Sequence, residues 1–101
     1  MEKIYFTHII TNIRNTVLYT GVTNNLRRRM QEHREKKVYG FTSKYNVSKL
    51  VWYKAFKMPS EAIAAEKKIK GWGRGKKLAL IMKTNPMFTD LNIRDSSQSS
   101  E

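Results

Sequence analysis

Two short apolar segments near the N-terminus, joined by a brief polar connection, constrain the fold of this chain most. Residues 3–10 are rich in β-branched and aromatic residues, which predicts a strand with the even-numbered side chains from Ile4 to Ile10 on one face. Residues 17–22 have the same character and predict a second strand. The connection, residues 11–16, contains turn-forming asparagines. Because it is so short, the sequence predicts an antiparallel β-hairpin.

The rest of the chain alternates helical patterns with one further strand. A helix capped by Thr23 or Asn24 is predicted to run to about residue 35, and a third strand spans residues 48–56. Two more helices are predicted over about 61–70, capped by Ser60, and about 76–83. The order β-β-α-β-α-α is typical of an α+β domain whose small sheet is covered by helices.

The length of 101 residues corresponds to a single domain. We expect that domain to span residues 1–91, because residues 92–101 form a polar, low-complexity segment. The tail, 92–101, is therefore predicted to be disordered.

The charge of the chain points to a polyanionic partner. Lysine and arginine number 20 and aspartate and glutamate 8, which gives a formal net charge of +12. A hydrophobic fraction of 40% is high for a disordered polycation, so a packed core is expected. Phosphate contacts by such a surface release counterions, and nucleic acid is the predicted partner.

Several classes of protein are excluded by what the sequence lacks. The absence of cysteine excludes a disulfide framework, a thiolate zinc site and a cysteine nucleophile. No apolar run approaches the roughly 20 residues of a membrane span, and the N-terminus lacks the features of a signal peptide. We therefore expect a cytoplasmic protein with no membrane partner and no small organic cofactor.

Arg29 and His33 are spaced to share one face of the first helix. The four-residue separation puts them one turn apart. An arginine can balance charge on phosphoryl oxygens while a histidine moves or positions a proton, as phosphodiester cleavage requires. A solvated basic helix that happens to contain a histidine explains the same spacing, and the spacing alone favours that simpler interpretation.

Glu66 falls among apolar positions of the second predicted helix. At 100° per residue it lies within the arc of Ala62, Ile63 and Ile69. A carboxylate there is costly unless it is paired or binds a cation. One interpretation is a Mg²⁺ ligand, and the other is an ion pair with Lys70 at i+4.

Three residues of the predicted hairpin also have two interpretations. His8 shares a strand face with apolar residues, where a hydrogen-bonded core histidine is commoner than a catalyst. Tyr19 and Gly21 share a face of the second strand. The tyrosine hydroxyl beside a glycine gap could meet a phosphate or a water, although a half-buried strand aromatic fits equally well.

These residues, taken in order, carry a family resemblance. The segment from Tyr19 to Leu26, followed by Arg29 and His33, resembles the second half of the GIY-YIG nuclease signature, and residues 5–10 occupy the place of its first half. Three further blocks resemble a small single-domain bacterial branch of that superfamily: residues 40–47, 61–67 and 85–86. The resemblance spans about residues 3–91.

The resemblance implies a three-stranded antiparallel sheet flanked by about three helices and cleavage of DNA with one divalent metal ion, Mg²⁺ or Mn²⁺. It implies that Glu66 binds the metal and that Arg29 stabilises the scissile phosphate. It further implies that Tyr19 places or deprotonates the attacking water and that Gly21 allows a close backbone approach. His33 corresponds to a histidine found near the site in part of the family.

The main departure from the family pattern is His8, which stands where the first signature motif normally ends in tyrosine. Thr7, Asn25 and Ala65 also differ from the residues frequent in relatives. A neutral imidazole with a pKa near 6.5 suits a general base better than a tyrosine near 10.

The sequence thus favours a metal-dependent DNA endonuclease, structure-specific and related to repair, acting as a monomer or weak dimer. The alternative is a non-catalytic basic module of the same fold that binds nucleic acid. His8 belongs to the expected catalytic set with Tyr19, Gly21, Arg29 and His33. The residues expected to contact nucleic acid are Arg27, Arg28, Lys44, Lys67, Arg74 and Asn85.

Overall fold

The computed structural model describes residues 3–35 and 44–91. The elements in these ranges follow the predicted order and confirm the α+β class. They are β1 (Tyr5–Thr11), β2 (Leu18–Thr23), α1 (Leu26–Arg34), β3 (Lys49–Phe56), α2 (Pro59–Lys70) and α3 (Arg74–Thr84). The predicted tail, residues 92–101, and the first part of the block at 40–47 lie outside the described residues.

The three strands form the antiparallel sheet that was predicted, and the structure gives their order as β2–β1–β3. In the central strand, His8 lies opposite Gly21 of β2 and opposite Tyr53 of β3. The pairing with β3 shifts between Ile9 and Ile10, which leaves one extra residue, Val51, on β3.

Side chains alternate along β1, so the sheet builds a hydrophobic cluster on each face. On one face Ile9 packs with β3 and with Ile69 of α2 and Ile81 of α3. On the other face Ile10 packs with β3 and with Leu26 and Met30 of α1. The helices therefore cover both faces, and His8, two residues from Ile10, lies on the face that α1 covers.

All three helices, α1 to α3, begin at other residues than predicted, α3 by about two residues. Helix α1 begins after Asn25, whose side chain accepts a hydrogen bond from the Arg28 backbone N–H at 3.0 Å. Thr23 is still part of β2 and its hydroxyl accepts from the Asn25 N–H at 3.1 Å. Helix α2 begins at Pro59 rather than after Ser60. Proline is favoured in a first turn, where its missing N–H costs no helical bond.

Among the described helices, none is long and apolar enough to cross a membrane.

Candidate active site

A small cavity lies between the sheet and two helices. Its volume is about 190 Å³, and its lining comes from β1, β2, α1 and α2: His8, Tyr19, Gly21, Val22, Arg29, His33 and Glu66. The structure thus brings together every residue predicted to be catalytic and the predicted metal ligand. Val22 is an addition that sequence reasoning missed, because an aliphatic side chain carries no chemical signal.

His8 and Gly21 fit together across the sheet. A Cβ atom on residue 21 would lie 3.1 Å from Cε1 and 3.2 Å from Nε2 of His8. Both distances are shorter than ordinary van der Waals contact. Glycine at position 21 therefore leaves the space that the imidazole of His8 fills, which is a packing role more specific than the close backbone approach that was predicted.

His8 is a buried, neutral base. Its side chain is 1% exposed, and burial, together with His33 and Arg29, lowers its pKa to about 3. The intrinsic pKa of 6.5 therefore does not hold for His8 in the folded protein, because charging a buried ring beside an arginine is costly. Neither ring nitrogen has a hydrogen-bond partner within the described part of the chain. A neutral imidazole in this position can orient a water but holds a proton weakly.

Arg29 and His33 enter the cavity from successive turns of α1. Burial is the main cause that lowers the pKa of His33 to about 4, and Arg29 adds to the effect while Glu32 opposes it. The rings of His33 and Tyr19 have centroids 6.1 Å apart. The Arg29 guanidinium Nη1 lies 3.5 Å from Glu32 Oε1. Two neutral imidazoles beside one permanent cation make a lining suited to a phosphate.

Glu66 reaches the same cavity from α2. Its side chain is 18% exposed, and its Oε2 lies 2.8 Å from Nζ of Lys70. This hydrogen bond is the main cause that raises the pKa of Lys70. The ion pair considered from the sequence is therefore present, and the carboxylate lines the cavity as well.

A buried hydrogen bond holds α2 against the central strand. The Thr7 hydroxyl donates to the Ala62 carbonyl at 2.7 Å, and both residues are fully buried. In an α-helix the carbonyl of residue 62 also accepts from the N–H of Glu66. Thr7 thus fixes the turn that carries Glu66. The sequence marked Thr7 only as a departure, although a polar residue inside an apolar strand was the available signal.

The cavity suits a hard divalent cation held by few protein ligands. Within residues 3–35 and 44–91, no three His, Cys, Asp or Glu side chains converge as a metal cage. A four-ligand zinc-type centre does not fit this set. A single carboxylate, Glu66, does fit Mg²⁺, which often takes one or two carboxylates and keeps several waters.

Five of the six residues predicted to contact nucleic acid are exposed on the surface: Arg27, Arg28, Lys44, Lys67 and Arg74. Arg28 lies 3.7 Å from Glu32, and Nζ of Lys44 lies 5.5 Å from the centroid of the Tyr45 ring. Exposed cations in these places remain compatible with phosphate contacts.

Arg74 and Asn85 also make hydrogen bonds within the chain. The Arg74 guanidinium donates to the backbone carbonyls of Asn15 at 2.8 Å and Thr16 at 3.1 Å. The Asn85 side chain is buried, donates to the Val51 and Thr89 carbonyls, and accepts from the Thr89 N–H. We therefore correct the expectation for Asn85, since its amide is fully used inside the protein.

Comparison with known proteins decides the family. A family model described as the GIY-YIG catalytic domain matches residues 4–79. The chain belongs to the GIY-YIG family. Membership implies nuclease-type chemistry. The cavity residues His8, Tyr19, Arg29 and Glu66 all lie within the matched residues 4–79.

Two relatives agree with the predicted small branch of the GIY-YIG family. The chain is 36% identical over 81 residues to the UPF0213 protein OB0043 of Oceanobacillus iheyensis, which covers 80% of this chain and 93% of that protein. The solution NMR structure of the UPF0213 protein BH0048 from Bacillus halodurans has a TM-score of 0.56 at 25% identity. That match covers 88% of this chain and 94% of the neighbour. Both findings support a small α+β GIY-YIG protein.

Proposed function

We propose that this GIY-YIG protein is a divalent-metal-dependent endonuclease that hydrolyses phosphodiester bonds of DNA. One observation carries the proposal. Four different elements bring a carboxylate, an arginine, a tyrosine and two neutral histidines to one cavity of about 190 Å³.

Each group in the cavity has a part in this proposal. Glu66 would hold Mg²⁺ or Mn²⁺, and the bound cation supplies charge stabilisation for phosphate oxygens. Arg29 binds the same phosphate through hydrogen bonds that strengthen as charge develops. Tyr19 and His8 orient the attacking water. His8 does so as a hydrogen-bond acceptor, because its pKa of about 3 keeps it neutral.

The exposed cations indicate how substrate is bound. Arg27, Arg28, Lys44 and Lys67 are exposed cations, and such side chains suit contacts with the phosphate backbone. We therefore propose a structure-specific nuclease connected with DNA repair. A cytoplasmic location and a monomeric or weakly dimeric state belong to the same proposal.

The test is cleavage of labelled nicked, branched and single-stranded DNA with Mg²⁺ or Mn²⁺. We expect Glu66→Gln to lose cleavage by at least about 100-fold while DNA binding without metal is retained. The matched control is Glu61→Gln, since Glu61 is an exposed glutamate on the same helix that does not line the cavity. Equal cleavage by the two variants, or no cleavage of any substrate by the wild type, would contradict the proposal.

A non-catalytic nucleic-acid-binding module is the second candidate. The observation that favours it is His8 itself, a weak base at the place of the signature tyrosine. This candidate expects salt-sensitive DNA binding, no cleavage with either metal, and no effect of millimolar Mn²⁺ on the NMR signals of Glu66, Arg29 and Tyr19. Selective broadening of those signals, absent in Glu66→Gln, would instead support the metal site.

A further inference from the structure

A second and larger depression lies at the other end of the central strand. Its volume is about 700 Å³, and it forms where the β1–β2 connection meets the start of β3 and the end of α1. None of its lining residues lines the cavity of Glu66. We call it the terminal groove.

The terminal groove is positively charged. Among the described residues, Arg14, Arg34 and Lys49 line it together with one acidic residue, Asp90. The Asp90 carboxylate accepts a hydrogen bond from the Leu50 backbone N–H at 3.2 Å and lies 3.9 Å from Arg34. Asp90 thus makes a hydrogen bond with β3 at the edge of the groove. The cations lining the groove outnumber this carboxylate, so the groove attracts anions.

An ordered loop forms one lip of the terminal groove. The Asn12 side-chain oxygen accepts from the backbone N–H groups of Thr16 at 2.8 Å and Val17 at 3.2 Å. Arg74 binds the same loop from α3 through two carbonyls. The loop therefore holds a fixed shape.

This loop presents an apolar side chain to solvent. Ile13 is 84% exposed and lines the groove beside Arg14. On another lip of the groove lies Tyr45, which is 42% exposed. Apolar and aromatic side chains next to cations are the combination that stacks on unpaired bases while the cations hold phosphates.

We propose that the terminal groove binds an unpaired nucleotide of the DNA strand. Arg14 and Lys49 hold its phosphate, and Tyr45 and Ile13 contact its base. The proposal rests on the proposed function and deepens it, because it names unpaired DNA as the preferred substrate. Duplex DNA cannot present a free base face to Tyr45 without unstacking.

The spacing of the two sites sets where the unpaired segment lies. Asn12, which lines the groove, is four residues along the chain from His8. At about 3.3 Å per residue of strand, this separation is about 13 Å. An unpaired strand spans this distance in a few nucleotides, so one strand can reach both the terminal groove and the cavity.

The test measures binding of fluorescein-labelled oligothymidylate of about 12 nucleotides by anisotropy, in EDTA so that no cleavage occurs. We expect Arg14→Ala/Lys49→Ala to weaken binding about 10-fold and to reduce the slope of log K against log salt by about 1.4, for two lost phosphate contacts. The control is Lys54→Ala/Lys68→Ala, which removes two charges from a depression between β3 and the α2–α3 face. We expect this control to weaken binding less than about 3-fold.

Equal weakening by the two double variants would overturn the proposal. A second measurement does not depend on variants: a short oligothymidylate should shift amide NMR signals of the wild type around Arg14 and Tyr45. Absence of these shifts at saturation would also overturn it. If the groove binds DNA while no substrate is cleaved, the groove proposal stands and the nuclease proposal fails. If DNA is cleaved while Arg14→Ala/Lys49→Ala binds like the control, the nuclease proposal stands and the groove proposal fails.

Discussion

Gly21 and His8 lie opposite each other in the sheet, and the short distance between them predicts that a methyl group added at position 21 destabilises the fold. In Gly21→Ala the new Cβ would lie 3.1 Å from the buried His8 ring and 3.3 Å from Cε2 of Tyr19. Overpacking costs about 1–3 kcal/mol, and replacing glycine recovers about 0.4–1 kcal/mol through the unfolded state. We expect a net loss of about 1 kcal/mol in the free energy of unfolding, measured by urea denaturation.

The control for this prediction is Gly75→Ala. A Cβ on Gly75 would meet no atom within 4 Å, and the residue lies in the first turn of α3. Alanine is favoured over glycine in a helix by about 0.5–1 kcal/mol, so this variant should be as stable as the wild type or more stable. The same response at both positions would show that His8 does not need the space beside Gly21.

The two buried histidines predict how stability depends on pH. Their folded pKa values, about 3 for His8 and about 4 for His33, lie below the unfolded value of 6.5. Between these limits the unfolded chain binds protons that the folded chain does not, so lowering the pH stabilises the unfolded state. From about pH 7.5 to pH 5, each histidine should lower the free energy of unfolding by about 2 kcal/mol.

His8→Phe separates the two contributions, because an uncharged ring at position 8 removes one of the two titrations. Urea denaturation at both pH values should show the acid loss reduced to about half of its wild-type size. The contribution of His33 remains in the variant. An unchanged pH dependence would mean that His8 is not buried as a neutral base.

At the scale of elements, local patterns predicted the sheet well and the helix starts less well. The β-branched runs on both sides of a short polar connection determined β1 and β2 to within one or two residues. The start of α2 differs because the prediction placed the cap at Ser60, whereas Pro59 already belongs to the helix and proline is compatible with a first helical turn. The bulge at Val51 could not be predicted, since it depends on how β3 pairs with a distant strand.

The contacts that join elements were the least predictable part. Thr7 and Ala62 are 55 residues apart, and Arg74 lies 58 and 59 residues from the carbonyls that it binds. No local pattern encodes such pairs. Local patterns therefore did not indicate that Arg74 and Asn85 each join distant segments of the chain.

Asn85 provides the test at this scale. Asn85→Ala removes the amide that donates to the buried Val51 carbonyl at 3.1 Å. An unsatisfied buried polar group costs about 1–3 kcal/mol, and we expect a loss of that size in urea denaturation. DNA affinity of the folded variant should stay within about twofold of the wild type, because no charge is removed. Asn24→Ala, at an exposed asparagine, is the matched control and should change neither quantity.

At the scale of the whole molecule, the sequence predicted the net charge and the residues that line the cavity. It did not predict the terminal groove. The ordered blocks of the signature placed Tyr19, Arg29 and Glu66 together, and the structure gathers them in one cavity. The terminal groove had no such signal, because Arg14, Arg34 and Lys49 come from three separate parts of the chain. Only the folded sheet brings them to one end.

The net charge of +12 leads to the last prediction, which concerns binding of DNA by the molecule as a whole. If the two sites and the cations near them contact about five phosphates, log K for single-stranded DNA should fall against log salt with a slope of about −3.5. Affinity would then fall by about two orders of magnitude between 50 and 200 mM salt, as measured by anisotropy in EDTA. Glu66→Gln removes a negative charge beside the DNA, so it should bind as tightly as the wild type or more tightly at every salt concentration. A slope near zero would show that the basic surface does not bind the phosphate backbone, and weaker binding by Glu66→Gln would show that the carboxylate supports DNA contacts without a metal ion.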